Sequence, residues 1–447
     1  LVPGEGWCSA ADAKDAKQIA GEYQKELKAW RRAMSRKFTE TELTQLRELS
    51  VRVDELWRRA LIRMNISEDQ IRRHVGVWGF DEPPINRLVT RREIEQDLFG
   101  NPDGAYNRLR MALDAWSALW FWPLSEQART VDGEVIEPPS REEWLAGLKD
   151  LLGEPSQIDR ALSAGKHEGA FTILDDYSWE GLNAADQNDR SIANALPVVR
   201  CTKKHPWLAV AARVAEQQAF FHWDLDFSPA FAAGGFDLQV GNPPWVRPDV
   251  KFEQLLAETD PWWALAHKPS QAEKTERLKR TSDRDRGEEY VLNGIGETVG
   301  TATVLGSTAL YPHLKDQRPD LYRAFMERTW ANMSGNGVPS LIHPESHFTE
   351  LRAAPLRRGA YHRLHRHWQF INALMLFDID DHVVYGVHVY GAEREQPSFL
   401  MAARMYHPTT AAESLVHDGA GELPGIKDAD YNWDLRPHRD RIMTVND

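Results

Sequence analysis

The chain has 447 residues, 42% of them hydrophobic and 10% aromatic, enough for a sizeable core in two or three domains. Its formal net charge of −13 argues against a nucleic-acid binder held by bulk charge and still allows a local basic groove. Two cysteines, Cys8 and Cys201, supply neither a disulfide framework nor a zinc cluster and fit a reducing cytoplasm.

No basic-then-apolar leader opens the sequence, and a start at Leu1 instead of Met reads as a fragment or processed piece. Residues 11–66 predict two long helices. Ala11 to Arg36 is rich in strong helix formers, and Thr39 with Glu42 has the capping-box pattern before a second helix. Leu43, Leu46, Leu49, Val53, Leu56, Leu61 and Met64 recur there at helical spacing. The pair reads as an antiparallel hairpin, a packed subdomain more than a DNA- or partner-facing arm. Residues 78–105 are looser, broken by Pro83-Pro84 and Asn101-Pro102-Asp103-Gly104. Tyr106 to Leu124 predicts a helix ending in Trp116, Leu119, Trp120, Phe121 and Trp122, a core cluster before a base-stacking one. It includes the most apolar stretch of the chain, which is too short to span a membrane and carries Asp114. A polar loop closes at Pro138-Pro139. Ser140 and Glu143 then cap a helix that turns Trp144, Leu145, Leu148 and Leu151 inward. Residues 153–205 mix helix and loop without a chemical signature, and Pro206 to Phe221 is an apolar helix delivering the chain into a central strand.

That strand is the stretch with chemistry in it. Phe236, Leu238 and Val240 alternate with Asp237 and Gln239, the period of a strand, and read as its buried side. Gly234-Gly235 opens it, and Gly241 at its end permits a turn or a close approach to a ligand. Pro243 and Pro244 fix φ and remove two backbone donors. The residue before a proline is driven into extended geometry, so Asn242 is held in one posture. Its amide carbonyl and the carbonyl of Pro243 can accept the hydrogens of an exocyclic amine while the amine nitrogen attacks a methyl group. Trp245 offers a flat face for the ring that bears the amine.

The stretch Asn242-Pro243-Pro244-Trp245 resembles the Asn-Pro-Pro-aromatic motif of amino-methyltransferases that use S-adenosylmethionine. With its lead-in His222-Trp223-Asp224-Leu225-Asp226-Phe227, Phe231 and Phe236-Asp237, it resembles the large N6-adenine DNA methyltransferases of type IIG restriction–modification systems and of phage-exclusion systems (BREX- or DISARM-like). The resemblance implies S-adenosylmethionine as cofactor, with Asn242 and Pro243 beside it, and methyl transfer to N6 of adenine in duplex DNA. The base would be flipped out, because its amine cannot be reached within the stack. It also implies partner subunits of a defence complex and no membrane. A protein glutamine methyltransferase has a similar turn and is the alternative enzyme. A catalytically silent DNA-binding or assembly module is the alternative outside enzymes.

After Trp245 comes a long excursion with Trp262-Trp263. Its stretch from Lys268 to Arg286 is rich in Lys and Arg and reads as a loop that contacts DNA or, equally, as a solvated helix face. Arg247, Lys268, Lys274, Arg277, Lys279 and Arg280 are the candidate contacts. Gly294-Ile295-Gly296 with Gly300 lacks the dinucleotide spacing and reads as a flexible loop. Leu321 to Trp330 predicts a helix with Leu321, Phe325 and Trp330 inward, stopped by Ser334-Gly335-Asn336-Gly337. Val338 to Ile342 is the next strand. His343, Glu345 and His347 alternate after it as potential metal ligands, but they lack a third partner of clear geometry, and no metal is expected. A basic helix follows from Leu351, then a strand from Phe370 to Phe377, an acidic turn over Asp378 to Asp381 and a second strand from Val383 to Tyr390. In the resembled family the aromatic before this turn stacks on the target adenine, a role that falls to Phe377 in concert with Trp245. A further strand is expected around Ser398 to Tyr406.

The expected class is α/β, part of a Rossmann-like methyltransferase sheet preceded by a large helical region. Residues 1–200 would be helical, 201–410 the catalytic half, and 411–447 a linker toward a missing C-terminal region. The family's first strand with its Gly-rich turn and its acidic residue for the ribose should precede Asn242, and neither is legible there. The cofactor half is therefore expected outside this chain, or the domain is degenerate.

Overall fold

The computed structural model describes residues 24–71, 89–156, 160, 178–248, 252–282, 287–317 and 320–446. The chain divides into two compact units, one of residues 2–232 and 250–301, the other of 233–249 and 302–447. The division differs from the expected boundary at residue 200: residues 201–232 and most of the excursion after Trp245 belong with the helices.

The helical unit contains α1 (Gln24–Met34), α2 (Glu40–Ile71), α3 (Ala105–Ala118), α4 (Arg141–Leu152), α5 (Trp179–Ile192), α6 (Trp207–Gln218), α7 (Phe252–Thr259), α8 (Gln271–Ser282) and most of α9 (Gly287–Leu305). A two-residue hairpin, β1 (Thr130–Val131) with β2 (Glu134–Val135), stands within the expected polar loop. Residues 11–23 and Pro83-Pro84 lie outside the described residues. Both capping boxes form. The Thr39 amide donates to Glu42 at 2.8 Å while the Glu42 amide donates to the Thr39 hydroxyl at 3.3 Å. Ser140 and Glu143 repeat the exchange ahead of α4. Leu49, Leu56 and Met64 of α2 share one core with Leu109 and Ala115 of α3, Leu145 and Leu148 of α4, and Leu208 and Val214 of α6. Trp120 and Trp122 are buried in keeping with a core role, although α3 ends at Ala118, short of them.

Of the two readings of the basic stretch, the helix holds for Gln271–Ser282, which forms α8. One expected loop is also a helix. Gly294, Gly296 and Gly300 lie inside α9, where a Cβ at Gly294 would fall 2.4 Å from Leu255 and one at Gly300 2.6 Å from Phe121. Close packing against α9, not loop mobility, is what these two glycines serve.

Within the helical unit, Arg52, Arg59 and Arg63 fall on one face of α2. Arg52 is fully buried and binds both carboxylate oxygens of Asp189 at 3.1 and 2.7 Å, and Arg63 reaches Asp186 at 2.8 Å. Burial alone would raise the Asp189 carboxyl. The hydrogen bond from Arg52 and the charges of Arg59, Arg52 and Arg108 outweigh it and hold the group below the usual carboxylate range.

The other unit is built on a six-stranded sheet of β3 (Phe236–Gly241), β4 (Met333–Pro344), β5 (Leu364–Ile371), β6 (Val384–Tyr390), β7 (Ser398–Met405) and β8 (Met443–Asn446), in the order β3-β4-β6-β5-β7-β8. β3 and β4 are parallel, β6 is antiparallel to both β4 and β5, β5 and β7 are parallel, and β8 closes antiparallel on β7. The strands β3, β4, β5 and β7 therefore all run one way. On one sheet face Leu341, Leu364, Tyr390 and Phe399 pack with Tyr322, Met326 and Trp330 of α10 (Leu321–Asn332) and Leu356 and Ala360 of α11 (Ala354–Arg363). On the other, Trp368, Phe370, Tyr385, Ala402 and Met405 pack with Ala411 of α12 (Pro408–Val416).

Several expectations change here. β3 is an edge strand, not a central buried one: Leu238 is 65% and Val240 75% exposed. Two glycines do set its start, with φ of +99° at Gly234 and +113° at Gly235, where a Cβ would meet the Met333 backbone at 2.7 Å. Gly241 is not in the left-handed region, and a Cβ there would make only ordinary contact with Leu341 at 3.7 Å. The strand expected at Phe370 to Phe377 is Leu364–Ile371. Its His367 is buried on one face and Trp368 and Phe370 on the other, so buried polar residues hid the period of two. Phe325 of α10 is 42% exposed, and Tyr322 and Met326 turn inward instead. Residues 411–446 are no linker, since α12 and β8 complete this unit.

Removing one member of a buried ion pair costs about 3–5 kcal/mol. Arg52→Ala should lower the urea-unfolding free energy of the full chain by that order. Because the folded Asp189 carboxyl lies below its unfolded value, its stabilisation is complete above about pH 4 and disappears as pH falls through the folded value. The difference between wild type and Arg52→Ala should therefore shrink in acid. An equal difference at pH 7 and pH 3 would contradict this.

Candidate functional site

The parallel pair β3–β4 ends with Gly241 opposite Leu341. The chain then leaves the sheet at Asn242, which is exposed, while Pro243 is buried and Pro244 exposed. The Asn242 side chain makes no hydrogen bond among the described residues, so its carbonyl is available to an incoming amine. Trp245 is locked by its indole N–H, which donates to the Ile342 carbonyl at 3.2 Å. Beyond it the Leu321 amide donates to the Val246 carbonyl at 3.0 Å, and Arg247 reaches Asp320 at 3.2 Å and Glu350 at 3.3 Å. Burial raises the Asp320 carboxyl despite Arg247. The turn is thus pinned on both sides, with Asn242 projecting between the pins.

Phe377 comes to the same end of the sheet. It sits after β5 in a loop, where a strand was expected, half-buried and 5.6 Å from Trp245 between ring centroids, at 52°. Tyr385, at the start of β6, completes the group at 5.8 Å from Trp245 and 4.9 Å from Phe377. Burial raises the Tyr385 phenol above its ordinary value. The two expected stacking residues therefore meet, but they touch. A base between two rings needs about 7 Å, twice the ~3.5 Å of one stacked contact. The base sandwich expected from the sequence is closed in this conformation, and a base enters only if the Phe377 loop swings away.

That loop hangs on Asn372, which is fully buried. Its amide nitrogen donates to the carbonyls of Phe377 at 2.9 Å and Ile379 at 3.0 Å, and its carbonyl accepts from the Phe377 amide at 3.0 Å. Met375, at φ +51°, makes the reversal. Asn372 and Tyr385 were missed in the sequence. An Asn directly after a strand run is a turn signal that points to the first. The second is visible in the alternation of Val384 to Tyr390, once that strand is given two buried faces.

The candidate DNA contacts divide between the units. Arg247 belongs to the sheet unit, and Lys268, Lys274, Arg277, Lys279 and Arg280 to the helical one. Several are already paired: Lys274 with Glu253, Arg277 with Asp260, and Arg280 with Glu276. The lead-in residues also have structural partners, His222 with Asp114 at 2.7 Å and Asp226 with the Tyr106 hydroxyl at 2.6 Å.

His343, Glu345 and His347 do not converge as a ligand set. His343 contacts the Pro344 carbonyl at 2.9 Å and the Tyr390 hydroxyl at 3.1 Å. Glu345 faces His367 at 2.5 Å and Gln369 at 2.6 Å. Burial pushes His343 down to about 3 and holds His347 and His388 well below the ordinary imidazole value, so all three are neutral. His347 and His388 are fully buried, and among the described residues neither has a well-formed hydrogen bond at a ring nitrogen, their contacts with the backbone of Pro344 and of Gly386 being weak. A buried polar atom without a well-formed hydrogen bond costs about 1–3 kcal/mol.

No family model and no curated protein matches the chain. Among solved structures, a nuclease-deletion mutant of the Type ISP restriction-modification enzyme LlaGI in complex with a DNA substrate mimic is similar at 8% identity, with a TM-score of 0.18. The match covers 87% of this chain and 37% of that one, a likeness too slight to carry an argument.

Asn372→Ala removes the clamp and should destabilise the chain by about 1–3 kcal/mol, the cost of orphaned buried partners. Amide exchange across 373–383 should rise more than elsewhere in the sheet unit. Unchanged protection there would show that the loop is held by something other than Asn372.

Proposed function

We propose that this chain carries the amine-binding half of an S-adenosylmethionine-dependent methyltransferase acting on N6 of adenine in duplex DNA, within a restriction–modification or phage-exclusion system. The observation that carries the reading is the Asn242 carbonyl, exposed and without a hydrogen-bond partner among the described residues at the C-terminal end of a parallel strand pair, with Trp245 pinned beside it. Ligand sites of parallel sheets lie at such strand ends. The target amine donates its hydrogens to the Asn242 and Pro243 carbonyls, which orient its lone pair and raise electron density on nitrogen. Trp245 stacks on the base, and Phe377 closes over it once the loop has opened. The amine proton leaves after attack, so no strong general base is required of the chain.

Among the described residues no strand with a Gly-rich turn precedes β3, so they do not by themselves form a cradle for the cofactor. We place the completing strands along the edge of β3 that pairs with no strand among the described residues, beside the exposed Leu238 and Val240. The same feature favours a second reading, a catalytically silent DNA-binding or assembly module.

Calorimetric titration of the full chain with S-adenosylmethionine, with and without adenine-containing duplex, tests whether the cofactor site is present in this chain. Cofactor binding at micromolar affinity supports the enzyme, and its absence means that the chain is either the amine-binding half awaiting its completing strands or the silent module, which a methyl-transfer assay with the completing segment then separates. In a preparation that transfers methyl groups, Asn242→Ala should lower transfer by about 10²–10³-fold, the scale of one lost contact to a developing charge. Its unfolding midpoint should be unchanged, because Asn242 is exposed. Full transfer in that variant would refute the assignment.

A further inference from the structure

On the α10–α11 face of the sheet, three donors from three chain segments point at one another. Glu345 follows β4, His367 lies on β5, and His388 lies on β6 directly opposite His367 in the antiparallel register. The carboxylate oxygen of Glu345 that touches His367 Nε2 at 2.5 Å is 3.9 Å from His388 Nε2. All three donor atoms lie within 4.8 Å of one another. We propose that Glu345, His367 and His388 bind a divalent transition-metal ion of the zinc type.

Three independent features point to an ion. His388 is fully buried with neither ring nitrogen in a well-formed hydrogen bond among the described residues: its contact with the Gly386 backbone is weak, and its Nε2 faces a carboxylate at 3.9 Å, too long for a hydrogen bond. An ion of this kind sits 2.0–2.2 Å from imidazole nitrogen and carboxylate oxygen, which sets tetrahedral donors about 3.3 Å apart. The 2.5 Å contact opens and the 3.9 Å gap closes to reach that common value. Next, Gly386 leaves the room: a Cβ there would lie 2.4 Å from the His388 ring and 2.7 Å from the Glu345 carboxylate. Finally, the second Glu345 oxygen accepts from Gln369 Nε2 at 2.6 Å, the outer contact that orients a ligating carboxylate. The donor set, two imidazoles and one carboxylate in a buried site, suits zinc better than calcium or magnesium, which prefer oxygen. Bound, the ion fastens the residue after β4 to the two strands beyond it, and one fixed ion site leaves a fourth coordination position.

The test uses the full chain without a polyhistidine tag, stripped with chelator and dialysed against zinc, with metal counted per chain and cobalt substituted as a spectroscopic reporter. One zinc per chain and the visible absorption of tetrahedral cobalt are expected. Glu345→Gln and His388→Gln should each weaken zinc binding tenfold or more. Gly386→Ala, which keeps every donor and fills the space, should weaken it as well. His382→Gln removes the exposed cluster with Asp380 and Asp381 and should change nothing. If His388→Gln fails to fold by circular dichroism, Glu345→Gln and Gly386→Ala decide. A chain that retains no zinc, or one whose binding survives both of those variants, or is lost in His382→Gln, overturns the proposal.

Discussion

The site rests on the parallel pairing of β3 with β4. Val240 lies opposite Ser340 and Gly241 opposite Leu341, so the chain leaves the sheet level with Ile342, whose carbonyl holds the Trp245 indole. Strand registers are all-or-none, because a slip of one residue exchanges the two faces. A slip here would carry Trp245 away from Ile342 and separate it from Tyr385 and Phe377. The antiparallel β6, inserted between β4 and β5, matters equally. It starts where β4 and β5 finish, and so delivers Tyr385 to the end of the sheet at which Asn242 and the Phe377 loop emerge.

What the sequence made legible was local. The two capping boxes need only residues three apart, and both formed as read. The Asn-Pro-Pro-Trp turn follows a strand for reasons internal to Pro and Asn. The positions that escaped were those set by distant neighbours. Whether Leu238 faces a core or solvent depends on how many strands lie beside β3, which its own alternation does not state. Leu364–Ile371 carries Arg and His in quantity and resembles a surface helix until its buried His367 is known. The glycines of α9 looked like a loop because the partners that need their smallness, Leu255 and Phe121, are far away in sequence.

The sheet presents two unlike faces. Trp368, Phe370 and Tyr385 make one of them largely apolar, and the aromatic group at Trp245 continues it. On the other, His343, His388 and His367 stack across three neighbouring strands, with centroids 3.9 and 4.7 Å apart, beneath Tyr322 and Tyr390. A single strand, β6, serves both, since Tyr385 faces the aromatic group and Gly386 and His388 face the imidazoles.

The edge of β3 has a bearing on how this chain behaves at high concentration. Natural sheets blunt their edges with lysine, proline or a bulge, because a row of unpaired amides and carbonyls is a template for any other strand. Between Phe236 and Gly241 there is no lysine and no proline, the one irregularity is a register shift against β4 between Phe236 and Leu238, and the single charge, Asp237, is engaged by the Ser334 hydroxyl at 2.9 Å. With Leu238 and Val240 bare beside it, such an edge invites a second molecule to add its own β3 and continue the ladder. Colloidal behaviour is therefore written into the same six residues that lead to the asparagine.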